Sequence, residues 1–210
     1  IPKDIQFAND LVAINKYCDR VRIMTYDQGS IDLRLNASSP KPYIPVSDHK
    51  WVEKVIRLMI KSIAKKKIEI GVPTYGYEYE ARALTLGYRY DLLWAFNPRY
   101  ATELAAELGI TPFRNSAGEM SFIYATTSLS TPTGVATDTP LSNNMSASNT
   151  IFETATTTQE TFTGTFRILW WSDAKAIQDK VNLAKKLGVR GIAIFKIDGG
   201  GDPAMWEVLR

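Results

Sequence analysis

The sequence predicts an α/β fold in which a few parallel strands form part of a barrel, with helices outside and a small α+β domain inserted. Two observations indicate this fold. Three short apolar runs each end in aromatic, acidic or glycine residues: RVRIMTYDQG, KIEIGVPTYGYEY and VRGIAIFKIDGGGDP. Helical patterns alternate with these runs, and such alternation is typical of parallel strands covered by helices.

Residues 1–77 contain the first two of these strands. Helically spaced apolar residues in KDIQFANDLVAINKYC predict a first helix, and a strand follows over 21–26. The segment PVSDHKWVEKVIRLMIKSIAKK is the clearest amphipathic helix, with Ser47 or Asp48 as its cap. The next apolar run predicts a second strand over 68–74.

Residues 168–210 contain the third strand between two helices. SDAKAIQDKVNLAKKLG predicts a helix that Ser172 caps and Gly188 ends. The strand follows over 191–195, and DPAMWEVL opens a last helix with Pro203 in its first turn.

An inserted α+β domain is predicted between these parts, over 78–167. It holds one helix, in NPRYATELAAELG, and two strands, in EMSFIYA and TFRILWW. The stretch 126–163 is dense in Thr, Ser, Asn and Ala, which offer little to build a core. We interpret it as a long, mobile excursion of the inserted domain.

Side chains alternate between the two faces of a strand, so each run divides into two sets. One set is entirely aliphatic: Val21, Ile23, Ile68, Ile70, Val72, Ile192 and Ile194. The other is mixed, polar and aromatic: Arg22, Met24, Tyr26, Glu69, Gly71, Pro73, Tyr75, Ala193 and Phe195. An open sheet covered on both faces requires two aliphatic sets, so a barrel with helices outside fits better. Arg22 and Glu69 are expected to face each other inside it, as interior filling rather than catalytic groups.

The strand ends predict a functional rim. The catalytic and ligand-binding residues of such barrels lie at the carboxyl ends of the strands. Tyr26 with Asp27, Tyr75, and the segment from Phe195 to Asp198 occupy those positions. A single Tyr-Asp pair before Gly29 is equally well explained as turn chemistry. Three coordinated instances favour a functional site.

Composition excludes several classes of function. A formal net charge of +3 is too small to indicate nucleic-acid binding. The only histidine, His49, has no second His or Cys nearby, so a zinc site is not expected. No cofactor is predicted. One cysteine, Cys18, excludes an internal disulfide and is expected in the core. No run approaches the roughly 20 apolar residues of a membrane span. The chain begins at Ile1 without a signal peptide and reads as a piece of a longer protein.

The motifs resemble glycoside hydrolase family 18, the chitinases and their bacterial spore and cell-wall relatives. RIMTYDQG resembles the sixth strand of that family's (β/α)8 TIM barrel, KIEIGVPTYGYEY the seventh, and the segment from FRILWW to KIDGG the helix and eighth strand. The family often carries a small α+β domain between strands seven and eight. The resemblance therefore implies a partial (β/α)8 TIM barrel, strands six to eight with their helices, and NPRYATELAAELGITPFRNSAGEMSFIYA suits the bacterial, wall-lytic branch.

Family membership implies retaining hydrolysis of β-1,4 links next to N-acetylglucosamine, with the substrate's own acetamido group as nucleophile. By resemblance, Tyr26 would hydrogen-bond the acetamido carbonyl and Asp27 would contact the sugar near the general acid. Met24, Tyr75 and Phe195 would line the sugar pocket. The implied partner is a chitin or peptidoglycan glycan, and the implied location is secreted or cell-wall associated.

Two features depart from the family pattern. Phe195 stands where the family usually has tryptophan. The acidic string Asp-x-x-Asp-x-Asp-x-Glu, which supplies the general acid on strand four, is absent from the sequence. The chain alone is therefore expected to be inactive, with an N-terminal half or self-association completing the barrel. The alternatives to a family 18 glycosidase are a non-catalytic carbohydrate-binding relative and an unrelated barrel.

Overall fold

The computed structural model describes residues 9–31, 39–125, 164–197 and 200–209. The predicted excursion at 126–163 and the rim residue Asp198 lie outside the described residues. The helices and strands, in chain order, are α1 (Leu11–Tyr17), β1 (Val21–Ile23), α2 (Gln28–Ile31), α3 (His49–Met59), β2 (Ile68–Pro73), β3 (Gly76–Leu84), β4 (Gly87–Phe96), α4 (Pro98–Glu107), β5 (Phe113–Arg114), β6 (Met120–Ala125), β7 (Thr165–Trp171), α5 (Ala174–Leu187), β8 (Gly191–Phe195) and α6 (Met205–Val208).

The three strands predicted from the apolar runs form one parallel sheet, in the order β1-β2-β8. Their aliphatic set packs into a single core with residues of α3 and α5, as expected of a sheet face covered by helices. Ile68, Ile70 and Val72 of the central strand are fully buried in that core. The chain therefore has a mixed α/β fold, and its parallel strands occur where the sequence predicted them.

Local capping explains where the two covering helices begin and end. Asp48 caps α3 by accepting hydrogen bonds from the backbone N–H groups of the next turn. Asp173 caps α5, not Ser172 as the sequence predicted. Ser172 instead has its hydroxyl 3.3 Å from the Glu119 carboxylate. Gly188 ends α5 in the left-handed conformation, with φ of 67°, as predicted.

A second sheet is antiparallel, five-stranded and ordered β4-β3-β7-β6-β5. Helix α4 covers one of its faces through a core that includes Phe96, Ala101 and Leu169. The sequence predicted α4, β6 and β7 correctly, but it missed β5 and the hairpin of β3 and β4. The turn of that hairpin, Thr85-Leu86, lacks the Asn-Gly or Asp-Gly pair that marks most two-residue hairpin turns.

The face of the parallel sheet opposite the helices is largely open. Within the described residues, β1 and β8 each pair with β2 alone, so both are edge strands. Met24 is 70% exposed and Phe195 is 46% exposed on this side. Cys18, which was expected in the core, is exposed after α1. None of the described helices is both long and apolar enough to cross a membrane.

Candidate functional site at the carboxyl ends of the parallel strands

Three strand ends bring four of the five predicted site residues into one cluster. Tyr26 follows β1, Tyr75 follows β2, and Phe195 ends β8. The ring centroids lie 5.1 Å apart for Tyr26 and Phe195, 6.0 Å for Tyr75 and Phe195, and 6.4 Å for Tyr26 and Tyr75. Asp27 joins the cluster through a hydrogen bond from the Tyr75 hydroxyl. The convergence expected from the barrel interpretation is present.

Phe195 is held in place by the end of the neighbouring strand. The backbone N–H of Thr74 donates to the Phe195 carbonyl at 2.9 Å. The Thr74 hydroxyl accepts from the backbone N–H of Lys196 at 3.0 Å and donates to the Lys196 carbonyl. The peptide bond between Phe195 and Lys196 is cis. The hydrogen bonds with Thr74 fix the end of β8, where the Phe195 ring lies against Tyr26 and the residue is 46% exposed.

Tyr26 is positioned by the backbone that precedes it. The buried Thr25 hydroxyl donates to the Gly71 carbonyl at 2.7 Å, which ties the end of β1 to the centre of β2. The Thr25 carbonyl accepts from the Ser47 hydroxyl at 2.6 Å. Among the described residues, no hydrogen bond reaches the Tyr26 hydroxyl, so this group is available to a ligand.

Asp27 adopts an unusual backbone conformation, with φ of 58°. One of its carboxylate oxygens, Oδ1, accepts hydrogen bonds from the hydroxyls of Tyr75 at 2.5 Å and Tyr77 at 2.8 Å. In the described part of the chain, no group donates to the other oxygen, Oδ2. Two phenols thus fix the carboxylate and leave one oxygen to meet a ligand.

Burial and the Asp27 carboxylate keep the three nearby phenols neutral. Burial, reinforced by the hydrogen bond to Asp27, raises the pKa of Tyr77 to about 12. The same two causes raise the pKa of Tyr75 further. Burial and the Asp27 charge also raise the pKa of Tyr26. At neutral pH each phenol is therefore a hydrogen-bond donor.

Met24, the fifth predicted site residue, lies beside the cluster. It is two residues before Tyr26, and its side chain is 70% exposed. It contributes open apolar surface on the side of the sheet opposite the helices rather than a packed wall of the cluster.

Tyr77 is the site residue that sequence reasoning missed. It lies on β3, two residues after Tyr75, so the two side chains share one face. Their rings meet edge to face, with centroids 5.4 Å apart. The alternation of Tyr77, Tyr79 and Ala81 with Glu78 and Glu80 signals a strand with one aromatic face, and that signal could have found this residue.

A buried polar network anchors the chain just after Asp27. Gln28, which is fully buried, accepts from the backbone N–H of Asp48 at 2.9 Å. The Tyr43 hydroxyl donates to the Asp48 carboxylate at 2.6 Å. The fully buried Glu119 accepts from the backbone N–H groups of Val46 at 2.9 Å and Ser47 at 2.8 Å. Residues 43–48 are thereby fixed against α2 and the second sheet.

Arg22 and Glu69 face each other below the cluster, as the sequence predicted. They are register partners on β1 and β2, and Nε of Arg22 lies 2.9 Å from Oε2 of Glu69. Arg190 approaches the same carboxylate at 3.4 Å. The pairing explains how a carboxylate is accommodated in the sheet.

The cluster combines features that suit a neutral, hydroxyl-rich ligand. A flat exposed ring offers a stacking surface, the Tyr26 hydroxyl offers a donor, and Oδ2 of Asp27 offers an acceptor. The described residues contain no group of three His, Cys, Asp or Glu side chains that could hold a metal ion.

The chain is similar to known glycosyl hydrolases. The model of glycosyl hydrolases family 18 matches residues 1–200. A protein of Bacillus subtilis (strain 168) described as the uncharacterized glycosylase YvbX is 21% identical over 207 residues, which are 99% of this chain and 46% of that protein.

Two solved structures share the fold. The spore cortex-lytic enzyme SleL of Bacillus cereus has a TM-score of 0.64 and 22% identity over 95% of this chain and 36% of SleL. A chitinase from Chromobacterium violaceum ATCC 12472 has a TM-score of 0.59 and 19% identity over 95% of this chain and 47% of that chain. The chain thus spans less than half the length of these relatives. Because the family match covers nearly all of the sequence, the chain belongs to glycosyl hydrolases family 18.

Proposed function

We propose that this chain forms the C-terminal part of a family 18 glycosidase barrel, strands six to eight, and carries half of its sugar-binding site. The glycan contains N-acetylglucosamine joined by β-1,4 links, as in chitin or peptidoglycan, and the protein works outside the cell or at its wall. The observation that carries the proposal is the convergence of Tyr26, Asp27, Tyr75 and Phe195 from three adjacent strand ends.

Each side chain has a role that its surroundings support. The exposed Phe195 ring stacks on a sugar face. The neutral Tyr26 hydroxyl donates to the acetamido carbonyl and holds that group in line with the anomeric carbon. Asp27, fixed through Oδ1, accepts from the acetamido N–H or from the general acid through Oδ2. Met24 and Tyr75 line the pocket.

The proposed reaction has two steps. A general acid protonates the glycosidic oxygen while the acetamido carbonyl oxygen attacks the anomeric carbon, so the glycosidic bond breaks as a ring closes. Water then opens that ring and restores the acetamido group with retained configuration. The sequence lacks the Asp-x-x-Asp-x-Asp-x-Glu string that supplies the acid. The 210-residue chain is therefore expected to bind glycan and to hydrolyse none.

Calorimetric titration of the chain with N-acetylglucosamine oligosaccharides tests the proposal. Phe195→Ala should lower the affinity about tenfold, which corresponds to about 1.4 kcal/mol. Ile197→Ala, another apolar side chain that is 72% exposed, is the matched control and should leave affinity within twofold. Glucose oligosaccharides with the same linkage, which lack the acetamido group, should bind more weakly. If both glycans bind with equal affinity, or if Phe195→Ala leaves the affinity unchanged, the cluster is not the sugar-binding site.

Hydrolysis of a fluorogenic N-acetylglucosamine glycoside tests the inactivity of the chain. The signal should equal that of a protein-free blank. Turnover that disappears in Asp27→Asn would show that the acid lies within this chain. Binding without turnover in the complete protein would instead identify a non-catalytic carbohydrate-binding relative.

A further inference from the structure

Positive charge is concentrated at the amino ends of the parallel strands. A basic residue directly precedes each of β1, β2 and β8, namely Arg20, Lys67 and Arg190. The segments 16–22, 61–69 and 185–190, which lead into these strands, contain ten Lys and Arg residues and two acidic residues. The remainder of the chain contains fifteen basic and twenty acidic residues. The excess positive charge of the chain therefore lies at the end of the sheet opposite to the Phe195 cluster.

Hydrogen bonds hold these segments side by side. The backbone N–H of Arg190 donates to the carbonyl of Lys65 at 3.2 Å. The side-chain oxygen of Asn15, in α1, accepts from the backbone N–H of Ala64 at 2.9 Å. The backbone of the 3₁₀ turn Lys65–Lys67 is thus fixed between the end of α1 and the start of β8.

Internal carboxylates neutralise only part of this charge. Glu69 pairs with Arg22 at 2.9 Å and with Arg190 at 3.4 Å, and Glu53 pairs with Lys186 at 3.1 Å. Six other basic side chains at this end are exposed and have no carboxylate of the described residues within salt-bridge distance. They form the basic surface: Lys16, Arg20, Lys61, Lys65, Lys66 and Lys185.

Helix ends account for some of these lysines but not for the 3₁₀ turn. Lys185 lies in the last turn of α5, where the helix dipole favours a cation. Helix α3 ends at Met59, and residues 60–64 separate it from the turn Lys65–Lys67. The dipole acts only within the last turn of a helix, so it does not stabilise these three charges. Adjacent lysines repel one another, and a run that the fold does not require points to an external anion.

The side chains available on this surface favour a polymer of repeated negative charge over a single phosphate. Arginine binds one phosphate through its planar fork, but Arg22 and Arg190 already approach Glu69. Lysine is a point charge on a flexible stem. Five lysines and Arg20, spread over three segments, therefore suit charges that recur along a linear chain.

We infer that the basic surface binds a linear phosphodiester polymer of the cell wall, as a second ligand distinct from the glycan at Phe195. The inference takes the location at a wall from the proposed function and the class of ligand from the charge of the surface. Strand β2 spans Ile68–Pro73, so roughly 20 Å of strand separates the two ends of the sheet, and both ligands can bind together. The polymer holds the protein at the wall while the strand ends engage a glycan.

Calorimetric titration of the 210-residue chain with poly(glycerol phosphate) tests this surface. Lys65→Gln combined with Lys66→Gln should lower the affinity about tenfold at about 50 mM salt, and should reduce the slope of log K against log salt concentration by about 2. Lys41→Gln combined with Lys50→Gln is the matched control. It removes the same charge from two exposed lysines before and at the start of α3, and it should leave the affinity within about twofold. Circular dichroism and urea unfolding should show that both double variants fold like the original chain.

A sedimentation assay with isolated cell walls tests the source of the polymer. Walls from which hydrofluoric acid has removed the phosphodiester polymers should retain less of the original chain than untreated walls. The Lys65→Gln, Lys66→Gln variant should bind both wall preparations equally. If the two double variants respond alike, net charge alone causes binding and the surface is refuted. If the variant loses affinity only for phosphatidylglycerol vesicles or duplex DNA, the partner is a membrane or a nucleic acid and the inference is overturned.

The two ends of the sheet can be tested independently. Phe195→Ala should leave the affinity for poly(glycerol phosphate) unchanged, and the Lys65→Gln, Lys66→Gln variant should leave the affinity for N-acetylglucosamine oligosaccharides unchanged. If the oligosaccharides do not bind while the lysine variant still loses the polymer, the proposed function fails and the basic surface stands. If the oligosaccharides bind and the lysine variant retains the polymer, the basic surface fails alone.

Discussion

Tyr26 and Phe195 stack face to face, with ring planes 8° apart, although β1 and β8 do not pair with each other. The central strand β2 separates them, and its residue Gly71 lies against the Tyr26 ring. A Cβ atom at Gly71 would lie 2.6 Å from the Ile23 carbonyl oxygen and 2.9 Å from Cε1 of Tyr26. The stacked pair therefore depends on the absence of a side chain at this one position.

Gly71→Ala should destabilise the chain and disrupt the stack. The new methyl group would overlap backbone as well as the Tyr26 ring, so the first strand must shift. We expect a loss of roughly 1–3 kcal/mol in the free energy of unfolding, as for overpacked sites in general. Urea unfolding measures the loss, and weaker binding of the glycan at Phe195 should accompany it.

Gly164→Ala is the matched control for that substitution. Among the described residues other than its chain neighbours, none has an atom within 4 Å of a Cβ built on Gly164. Its free energy of unfolding should stay within about 0.5 kcal/mol of the original chain. An equal change in the free energy of unfolding of the two variants would show that the lack of a side chain at Gly71 does not position Tyr26.

Tyr26→Phe should reduce turnover in the complete protein that contains this chain, while substrate affinity changes little. The substitution keeps the ring that stacks on Phe195 and removes only the hydroxyl proposed to orient the acetamido nucleophile. We expect kcat to fall at least about tenfold and Kd to change less than about twofold. Tyr88→Phe alters a tyrosine of the second sheet and should change neither quantity. Unaltered kcat in Tyr26→Phe would contradict the proposed role.

The sequence predicted the parallel sheet and its rim because side chains alternate between the two faces of each strand with a period of two. Adjacent parallel strands that share a buried aliphatic face must also share the opposite face. Arg22 therefore meets Glu69, and the residues at the strand ends converge. No tertiary information was needed beyond the packing of helices on one side.

The remaining parts of the site depend on contacts between distant segments. Tyr77 lies 50 positions after Asp27, on the first strand of a hairpin whose turn carries no strong signal. Glu119 joins a third segment, 43–48, to the second sheet. The alternation over residues 77–81 marks Tyr77 as part of one face of a strand, but burial and hydrogen bonding decide which distant side chain it meets.

Glu119→Ala should destabilise the chain strongly. The substitution leaves the buried N–H groups of Val46 and Ser47 without their acceptor. It also removes the carboxylate that interacts with the buried Lys180. We expect a loss of roughly 3–5 kcal/mol in the free energy of unfolding, measured by urea denaturation. A loss below about 1 kcal/mol would exclude a structural role for this carboxylate.

Two further variants identify the cause of that loss. Glu119→Gln combined with Lys180→Met should cost less than the sum of the single substitutions, because neither buried charge is then left without its partner. Glu107→Ala, an exposed carboxylate at the end of α4, should stay within about 0.5 kcal/mol of the original chain.

Stability should fall as the pH rises from about 10 to about 12, and Tyr77 should contribute to the fall. Burial and the hydrogen bond to Asp27 raise the pKa of Tyr77 from 10.0 to about 12 in the folded chain. Between these values the unfolded chain has lost the phenol proton while the folded chain retains it. The unfolded state therefore binds fewer protons, and the free energy of unfolding decreases with pH.

Comparison with Tyr77→Phe tests this contribution. The variant also loses the effect by which Tyr77 raises the pKa of Tyr75 and of Tyr79, and that change reduces the loss of stability in the same direction. Urea unfolding at pH 8.5 and at pH 11 should show a smaller loss in the variant than in the original chain. A phenolate absorbance titration of Asp27→Asn should show the pKa of Tyr77 lowered by loss of the carboxylate charge. It should stay above 10.0, since burial is the larger cause. Parallel pH profiles for the original chain and Tyr77→Phe would contradict the hydrogen bond between Tyr77 and Asp27, and with it the fixed orientation of Oδ2 toward the sugar.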